Sequence, residues 1–322
     1  MDSYLSQCKE RIKELAEEQG FTRCGFAKSE EIDDVAKDSY CNWLEANKHD
    51  EMHYMENYQE IRNNPDGLLP GARTVICFAM NYKPAVEKPK DMPQFAKYSY
   101  GKDYHDVVKK HLRPIAQYIT ETTGAECRIC VDTAPIRERY WAQKAGIGFI
   151  GKNNQLIIPD KGSYFFLSEI VTTAAFESDS PCEESCGDCR LCIDHCPVGA
   201  LSIKGGAVDA RRCLSCQTIE HRGDLKELTS KRLGNRIYGC DECQDVCPHN
   251  QQSKATTVEE LAPSQEFMEL DWAKAEEMNE DDFRRIFKGS AVKRCKYEGL
   301  QRNIQAAKSN LKETTKSKGT CK

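Results

Sequence analysis

Leu5, Cys8, Ile12, Leu15 and Ala16 recur at helical spacing, so residues 3–19 read as an amphipathic helix that stops at Gly20. Residues 39–62 read as helical again. From Pro70 to Met80 a turn leads into an apolar, β-branched run, the pattern of a buried strand. After a Pro- and Lys-rich loop at 83–93, the periodicity predicts a helix over 103–123, a strand over 127–131 and a helix over about 135–145. Two further strands are expected around 155–159 and 164–175, completing a mixed body in which helices and strands alternate. From about residue 180 to 250 the pattern gives way to a cysteine-rich insert. Residues 256–312 then look all-helical, and the closing TTKSKGTCK reads as an irregular end.

Composition narrows the class. The mean hydropathy is −0.68 and no apolar run approaches the roughly 18 residues that a membrane helix needs, so a soluble protein is expected. The opening MDSYLSQCKERIKELAEEQG lacks the apolar core of a signal peptide, which points to the reducing cytoplasm. With 322 residues, the chain has room for two domains, or for one domain with a large insertion. Charge is uneven. Residues 283–322 carry twelve Lys or Arg against two acids, a net of +10, which leaves −15 for residues 1–282. A basic end on an acidic body suggests contact with a polyanion on one face, although a solvated lysine-rich helix explains the same count.

Ten of the 18 cysteines fall within 66 residues. Cys186-x2-Cys189-x2-Cys192-x3-Cys196-Pro197 has the spacing of a bacterial ferredoxin run, whose fourth cysteine serves the other cluster of a two-cluster protein. A second run, Cys240-x2-Cys243-x3-Cys247-Pro248, lacks its first member, and Cys213 and Cys216 lie between the two. The reciprocal solution gives Cys186, Cys189, Cys192 and Cys247 to one [4Fe-4S] cluster. Cys196, Cys213, Cys240 and Cys243 go to the other. All-thiolate zinc sites are the alternative, but zinc gives no reason for two Cys-Pro endings or an exchanged fourth ligand. Cys216 stands three residues from Cys213 and could compete with it, whereas Cys182 reads as a bystander.

Clusters carry electrons without defining a substrate, so the reaction site is sought in the body. In Val131-Asp132-Thr133-Ala134-Pro135 a carboxylate follows a strand and precedes a helix, at the strand end where open α/β folds bind ligands. Capping of that helix is the plainer explanation of Asp132. Gly146, Gly148 and Gly151 do not make a dinucleotide fingerprint in their context. They read instead as positions where backbone approaches a large planar or phosphate-bearing ligand, with Lys152 as a charge partner.

The segments LLPGARTVI, KYSYGKDYHDVV, VDTAPIRERYWAQKAGIGFIGKN, CGDCRLCIDHCPVGAL, RRCLSCQTIEHRG and GNRIYGCDECQDVCPHN, taken in this order, resemble the epoxyqueuosine reductase family from about residue 5 to 310. The chain looks like the family's short form, without an appended helical-repeat domain. The resemblance implies an α+β fold divided into a cobalamin-binding core similar to reductive dehalogenases at 1–178 and a ferredoxin-like two-cluster module at 179–254. A basic helical segment at 255–312 and a tail at 313–322 complete it. It implies that Co(I), fed by the clusters and an external low-potential reductant, attacks the epoxide-bearing ring of epoxyqueuosine at the wobble position of transfer RNA. Asp132 would be the proton donor, its pKa raised by burial against the corrin.

Arg62, Tyr98, Lys152, Asn153 and Ser215 match family positions placed around the corrin together with Asp132. No DxHxxG run offers a histidine to cobalt, and His105 is divided between a packing and a cofactor-side role. Arg139, His221 and Arg222 are expected at the anticodon stem-loop, beside Arg211 and Arg212, and Lys293, Arg294, Lys296 and Arg302 at its phosphates. The chain is expected to be monomeric. A reductive dehalogenase acting on a small molecule and a two-cluster electron carrier are the competing readings.

Overall fold

The computed structural model describes residues 2–203 and 206–319. Its centre is a four-stranded antiparallel sheet in the order β1-β2-β7-β4, made by Phe21–Lys28 (β1), Thr74–Asn81 (β2), Phe165–Thr172 (β7) and Cys127–Cys130 (β4). Every residue of β2 from Thr74 to Met80 is buried, because helices cover both faces of the sheet. On one face Ile76, Phe78, Met80, Phe166 and Ile170 pack against α1 (Asp2–Glu18) and α4 (Tyr104–Thr123). On the other, Val75, Cys77, Ala79, Leu167 and Val171 meet Trp141 and Ala142 of α5 (Glu138–Lys144). Trp141 is 1 % exposed, and truncating it to Ala would cost roughly 3–5 kcal/mol.

Four elements depart from the sequence expectation. The helix expected over 39–62 is broken into α2 (Asp34–Glu45), a 3-10 turn at His53–Met55 and α3 (Gln59–Asn63). Asn47, Asp50 and Tyr58 all take positive φ, which no continuous helix tolerates. The edge strand β1 follows the first helix directly, its mixed FTRCGFAK sequence giving no clean alternation. Short strands at Gln94–Phe95 (β3) and Phe149–Ile150 (β5) also lie outside the predicted set, whereas Leu156–Ile157 (β6) falls within the strand expected around 155–159.

The cysteine-rich segment consists of turns and short helices, α6 (Leu191–Asp194), α7 (Leu214–Ile219), α8 (Glu227–Arg232) and α9 (Glu242–Asp245). It is joined to the body by a parallel pairing of β3 with β8 (Arg236–Tyr238). Helices α10 (Gln265–Met268), α11 (Trp272–Glu277), α12 (Glu280–Ile286) and α13 (Lys296–Gly319) close a further core. That core mixes Phe95 and Tyr100 of the body with Ile219 and Tyr238 of the insert and Phe283, Phe287 and Leu300 of the C-terminal part. The stretch expected to be irregular from residue 313 continues as helix to Gly319, and residues 320–322 lie outside the described residues.

Candidate active site and cluster cavities

Asp132 sits just beyond β4 with φ +49, a left-handed conformation that Asp adopts more readily than most residues. It does not cap the following helix: the N-cap of α5 is Arg137, which makes no side-chain cap bond. Its backbone N–H instead donates to Oε1 of Glu138 at 2.7 Å, which fixes the turn. Its carboxylate Oδ2 lies 2.9 Å from Nε2 of His105, and the other ring nitrogen, Nδ1, lies 2.7 Å from Oδ1 of Asp103. The imidazole is stacked on Tyr104, and Tyr104 in turn on Phe166 of the sheet, with centroids 4.2 and 4.3 Å apart. Asp132 therefore presents a 52 % exposed carboxylate while its position is held from behind by His105 and Glu138.

Electrostatics follow from these contacts. Burial opposes charging of His105, but the hydrogen bonds to Asp103 and Asp132, with their charges, outweigh it and raise the imidazole to about 9. Burial likewise works against ionised Asp132, yet His105, then Tyr104 and Arg139, hold its carboxyl below the usual range. Within the protein itself, then, a cation in direct contact outweighs desolvation at Asp132, and the rise expected against the corrin would have to work against it. The raised carboxyl is its neighbour. Burial, then the charge of Asp132, moves Glu138 up to about 7.

Deeper still, Glu169 on β7 is fully buried, with no hydrogen-bond partner for either oxygen. Burial, then Glu138, pushes it well above the ordinary carboxylate value. It faces the α5 side of the sheet, in register with Cys77 and Cys130. Sequence reasoning passed over both glutamates, though a lone carboxylate in the apolar run FFLSEIV was a visible signal.

Cys186, Cys189, Cys192 and Cys247 line one cavity of about 170 Å³, together with Lys152, Asn153, Ile157, Pro248 and His249. Burial, then the proximity of Cys186, Cys247 and Cys189, pushes the Cys192 thiol up. The second quartet is marked by its neighbours. Cys196, Cys213 and Cys240 share the apolar surroundings of Val198, Ala200, Leu214 and Leu233. Burial, then Cys240 and Cys213, raises Cys243. Four crowded thiols fit a cationic iron–sulfur core, which offsets the mutual repulsion of their thiolates.

Among the described residues no three cysteine sulfurs come within 4.8 Å of one another. A single zinc ion with Zn–S near 2.3 Å would hold them closer, about 3.8 Å apart. Cys216 is buried beside Cys213, but its other charged neighbours are Asp50, Glu220 and Glu51, away from the quartet. Cys182 packs with Cys186 around Phe149, Ile157 and Cys247, closer to the first cavity than the sequence suggested.

The remaining expected residues divide. Lys152 and Asn153 lie at the clusters: Lys152 Nζ donates to the carbonyls of Gly187 and Cys189, its N–H lies 3.4 Å from Cys186 Sγ, and Asn153 donates to the Cys243 carbonyl. Ser215 and Cys216 offer backbone N–H groups to Cys213. Arg62 donates to the carbonyls of Asn57 and Tyr54, and Tyr98 donates to the Tyr238 hydroxyl at 2.9 Å. The three glycines do not open toward a ligand. A Cβ on Gly146 would meet the Ser180 carbonyl at 2.4 Å, one on Gly148 the Ile157 carbonyl at 2.3 Å, and one on Gly151 the Ile157 side chain at 2.5 Å. Their lack of a side chain serves packing within the chain.

On the basic face, Arg302 is occupied by the carbonyls of His221, Gly223 and Gln217, and Arg222 by those of Ile219 and Arg294. Arg302 thereby ties α13 to the cysteine-rich segment, and Arg222 ties that segment to the turn at Arg294. His221 lies 2.6 Å from Glu51, and Arg294 is paired with Glu220 and set over Tyr54. Arg211 is bound to Asp209. Arg139, Lys293 and Lys296 are exposed.

Comparison with known proteins adds to this geometry. Residues 62–133 match the family described as "Epoxyqueuosine reductase QueG, DUF1730", and residues 185–250 match the "4Fe-4S double cluster binding domain". The chain is 37 % identical to the epoxyqueuosine reductase of Cyclobacterium marinum over 301 residues, covering 92 % of this chain and 96 % of that protein. A crystal structure of an epoxyqueuosine reductase with an epoxyqueuosine-modified tRNA-Tyr stem loop superposes with a TM-score of 0.86 at 30 % identity, over 97 % of this chain and 83 % of that one. The Bacillus subtilis enzyme, solved with its catalytic aspartate loop swung out of the active site, gives the same TM-score, identity and coverage.

Proposed function

The chain belongs to the epoxyqueuosine reductase family, and from that premise we propose that it reduces epoxyqueuosine to queuosine at the wobble position of transfer RNA, with Asp132 delivering protons to the departing oxygen. The observation that carries the site assignment is the exposed Asp132 carboxylate, held at a strand end by His105 and Glu138. The chemistry balances as the epoxide plus two electrons and two protons giving an alkene and water.

Cys186, Cys189, Cys192 and Cys247 would hold one [4Fe-4S] cluster and Cys196, Cys213, Cys240 and Cys243 the other, and such clusters would supply one-electron transfer from an external low-potential donor. Burial of Cys243 is compounded by charge interactions with Cys240 and Cys213 and, more weakly, with Cys192, so the quartets are neighbours. Lys152 and Asn153 brace the chain between them.

The fit to cobalamin rests on the histidines. His105 contacts Asp132, and both of its ring nitrogens are already taken by carboxylates, so it offers no ligand to a metal. Asp132, with Tyr98 and Arg62 as the further expected residues, would hold the cobalamin, and His105 would act on Asp132 rather than on the cofactor. When bound, cobalamin supplies a low-potential nucleophile for the epoxide-bearing ring. Asp132 orients on the oxygen and gives it a proton as the carbon–oxygen bonds break.

Exposed Lys293, Lys296 and Arg139 are suited to the RNA phosphates, while Arg222 and Arg302 hold the surface on which they stand. Among the described residues no helix is long and apolar enough to cross a membrane. The proposal also takes the chain to act as a monomer. The test is anaerobic reconstitution with iron, sulfide and cobalamin, followed by reduction in the presence of epoxyqueuosine-bearing transfer RNA. Loss of one oxygen from the nucleoside, dependent on cobalamin, is expected in mass spectra. An unchanged nucleoside with both clusters and cobalamin in place would refute the assignment.

A further inference from the structure

Both protons consumed in this reaction end on one oxygen, which leaves as water. A single carboxyl facing that oxygen must therefore hold a proton when the first bond breaks and obtain another before the second. Asp132 at rest is an ion pair with His105 and holds none of its own. We propose that His105 is the proton store of the site: its Nε2–H first passes to the Asp132 carboxylate, Asp132 then gives that proton to the oxygen, and Asp103 fixes the ring for the first transfer.

The geometry supports each part. Nε2 lies 2.9 Å from Asp132 Oδ2, within the range of direct proton transfer, and Nδ1 lies 2.7 Å from Asp103 Oδ1. Asp103 also accepts from the backbone N–H of His105, so ring and backbone are held by the same carboxylate. Stacking on Tyr104 blocks rotation of the ring away from this line. Once emptied, the partly exposed His105 takes a second proton from water and passes it along the same path, so the pair delivers two protons with one stored.

The groups facing this pair are Asp103 and Tyr104 at the start of α4, and Glu138 and Arg139 on α5, with Tyr54 and Arg294 from the opposite side of the opening. Lys109 acts on Asp103. Together they leave the imidazole protonated through neutral pH, with its loss near 9.

The inference rests on the proposed reaction, and its test separates the two. Single-turnover oxygen loss by prereduced enzyme is followed from pH 5 to 10 in the wild type and in His105→Gln, which keeps a donor toward Asp132 but has no proton to give. The wild-type rate is expected to stay level to near pH 9. The variant is expected to fall about tenfold per unit above the ordinary carboxylate pKa near 4, losing on the order of 10²–10⁴ at pH 8. A uniform loss at every pH, with the wild-type profile kept, would mean that His105 only positions Asp132 and would overturn the proposal. No conversion by the wild type would instead overturn the reaction assignment.

A second readout needs no turnover. The His105 ring carbon signal in the full chain is expected to titrate near 9 and to move toward about 6.5 in Asp103→Asn. Titration in the ordinary range in the wild type would also overturn the proposal.

Discussion

The cysteine-rich module and the Asp132 corner are assembled in opposite ways. In the module, ligands are set by short spacings in turns and one-turn helices, so that Cys186, Cys189 and Cys192 reach the same cavity almost without help from the rest of the chain. At the corner, Asp103, His105, Asp132, Glu138 and Glu169 come from α4, the end of β4, α5 and β7, and only the packed sheet brings them together. The lesson is that electron carriers are written locally, whereas proton management is a property of the tertiary fold. The two regions should accordingly fail differently when altered.

The largest effect is expected from Cys243→Ala, which leaves the second cluster three-coordinate: iron content should fall toward half and turnover should vanish, read by iron analysis and the nucleoside assay. Asp132→Asn should lower turnover by about 10²–10⁴ while iron content and tRNA binding stay at wild-type levels. If iron were lost as well, the separation of the two regions would be wrong. Glu138→Ala removes the acceptor of the Asp132 N–H and frees a backbone that stands at φ +49. A roughly tenfold loss of turnover, restored by Glu138→Gln, would show that it works by holding the turn.

Glu169 gives a smaller effect, visible in stability. Its folded-state pKa lies above its unfolded value, so the native state loses stability as pH rises above the ordinary carboxylate range. Melting temperatures from pH 5 to 8 should decline in the wild type and decline less in Glu169→Gln. Smallest of all, Cys216→Ser should leave iron content unchanged, whereas Cys213→Ser should not.

Much of the module could be read from the chain, because cysteine spacing reports directly on coordination. The reciprocal exchange of Cys196 and Cys247 follows from spacing alone, and the cavity lined by Cys247 with the first three cysteines is in keeping with it. The buried strand at residues 74–80 was legible for a similar reason, since an unbroken apolar run has few other uses. The corner was legible only at Asp132. Its bond to His105 spans 27 residues and leaves no local pattern, so a carboxylate expected to be neutral is found ionised against a cation. The glycines misled because absence of a side chain says that something comes close, not what: at Gly148 it is a carbonyl of the chain itself. Arginine counts are silent on a similar point, because charge in a sequence does not distinguish a guanidinium left in water from one, like Arg302, bonded to three carbonyls.

The crossed sharing of cysteines also sets an order of events during synthesis. The chain leaves the ribosome N-terminus first, and residues 186–192 emerge long before Cys247. The other quartet must likewise wait for Cys240 and Cys243. Neither metal centre has its full set of thiolates until Cys243 and Cys247 have been made, well after all four strands of the central sheet. A truncation between the sheet and Cys243 would remove ligands from both centres at once, together with Val258 and Leu261 of the sheet core.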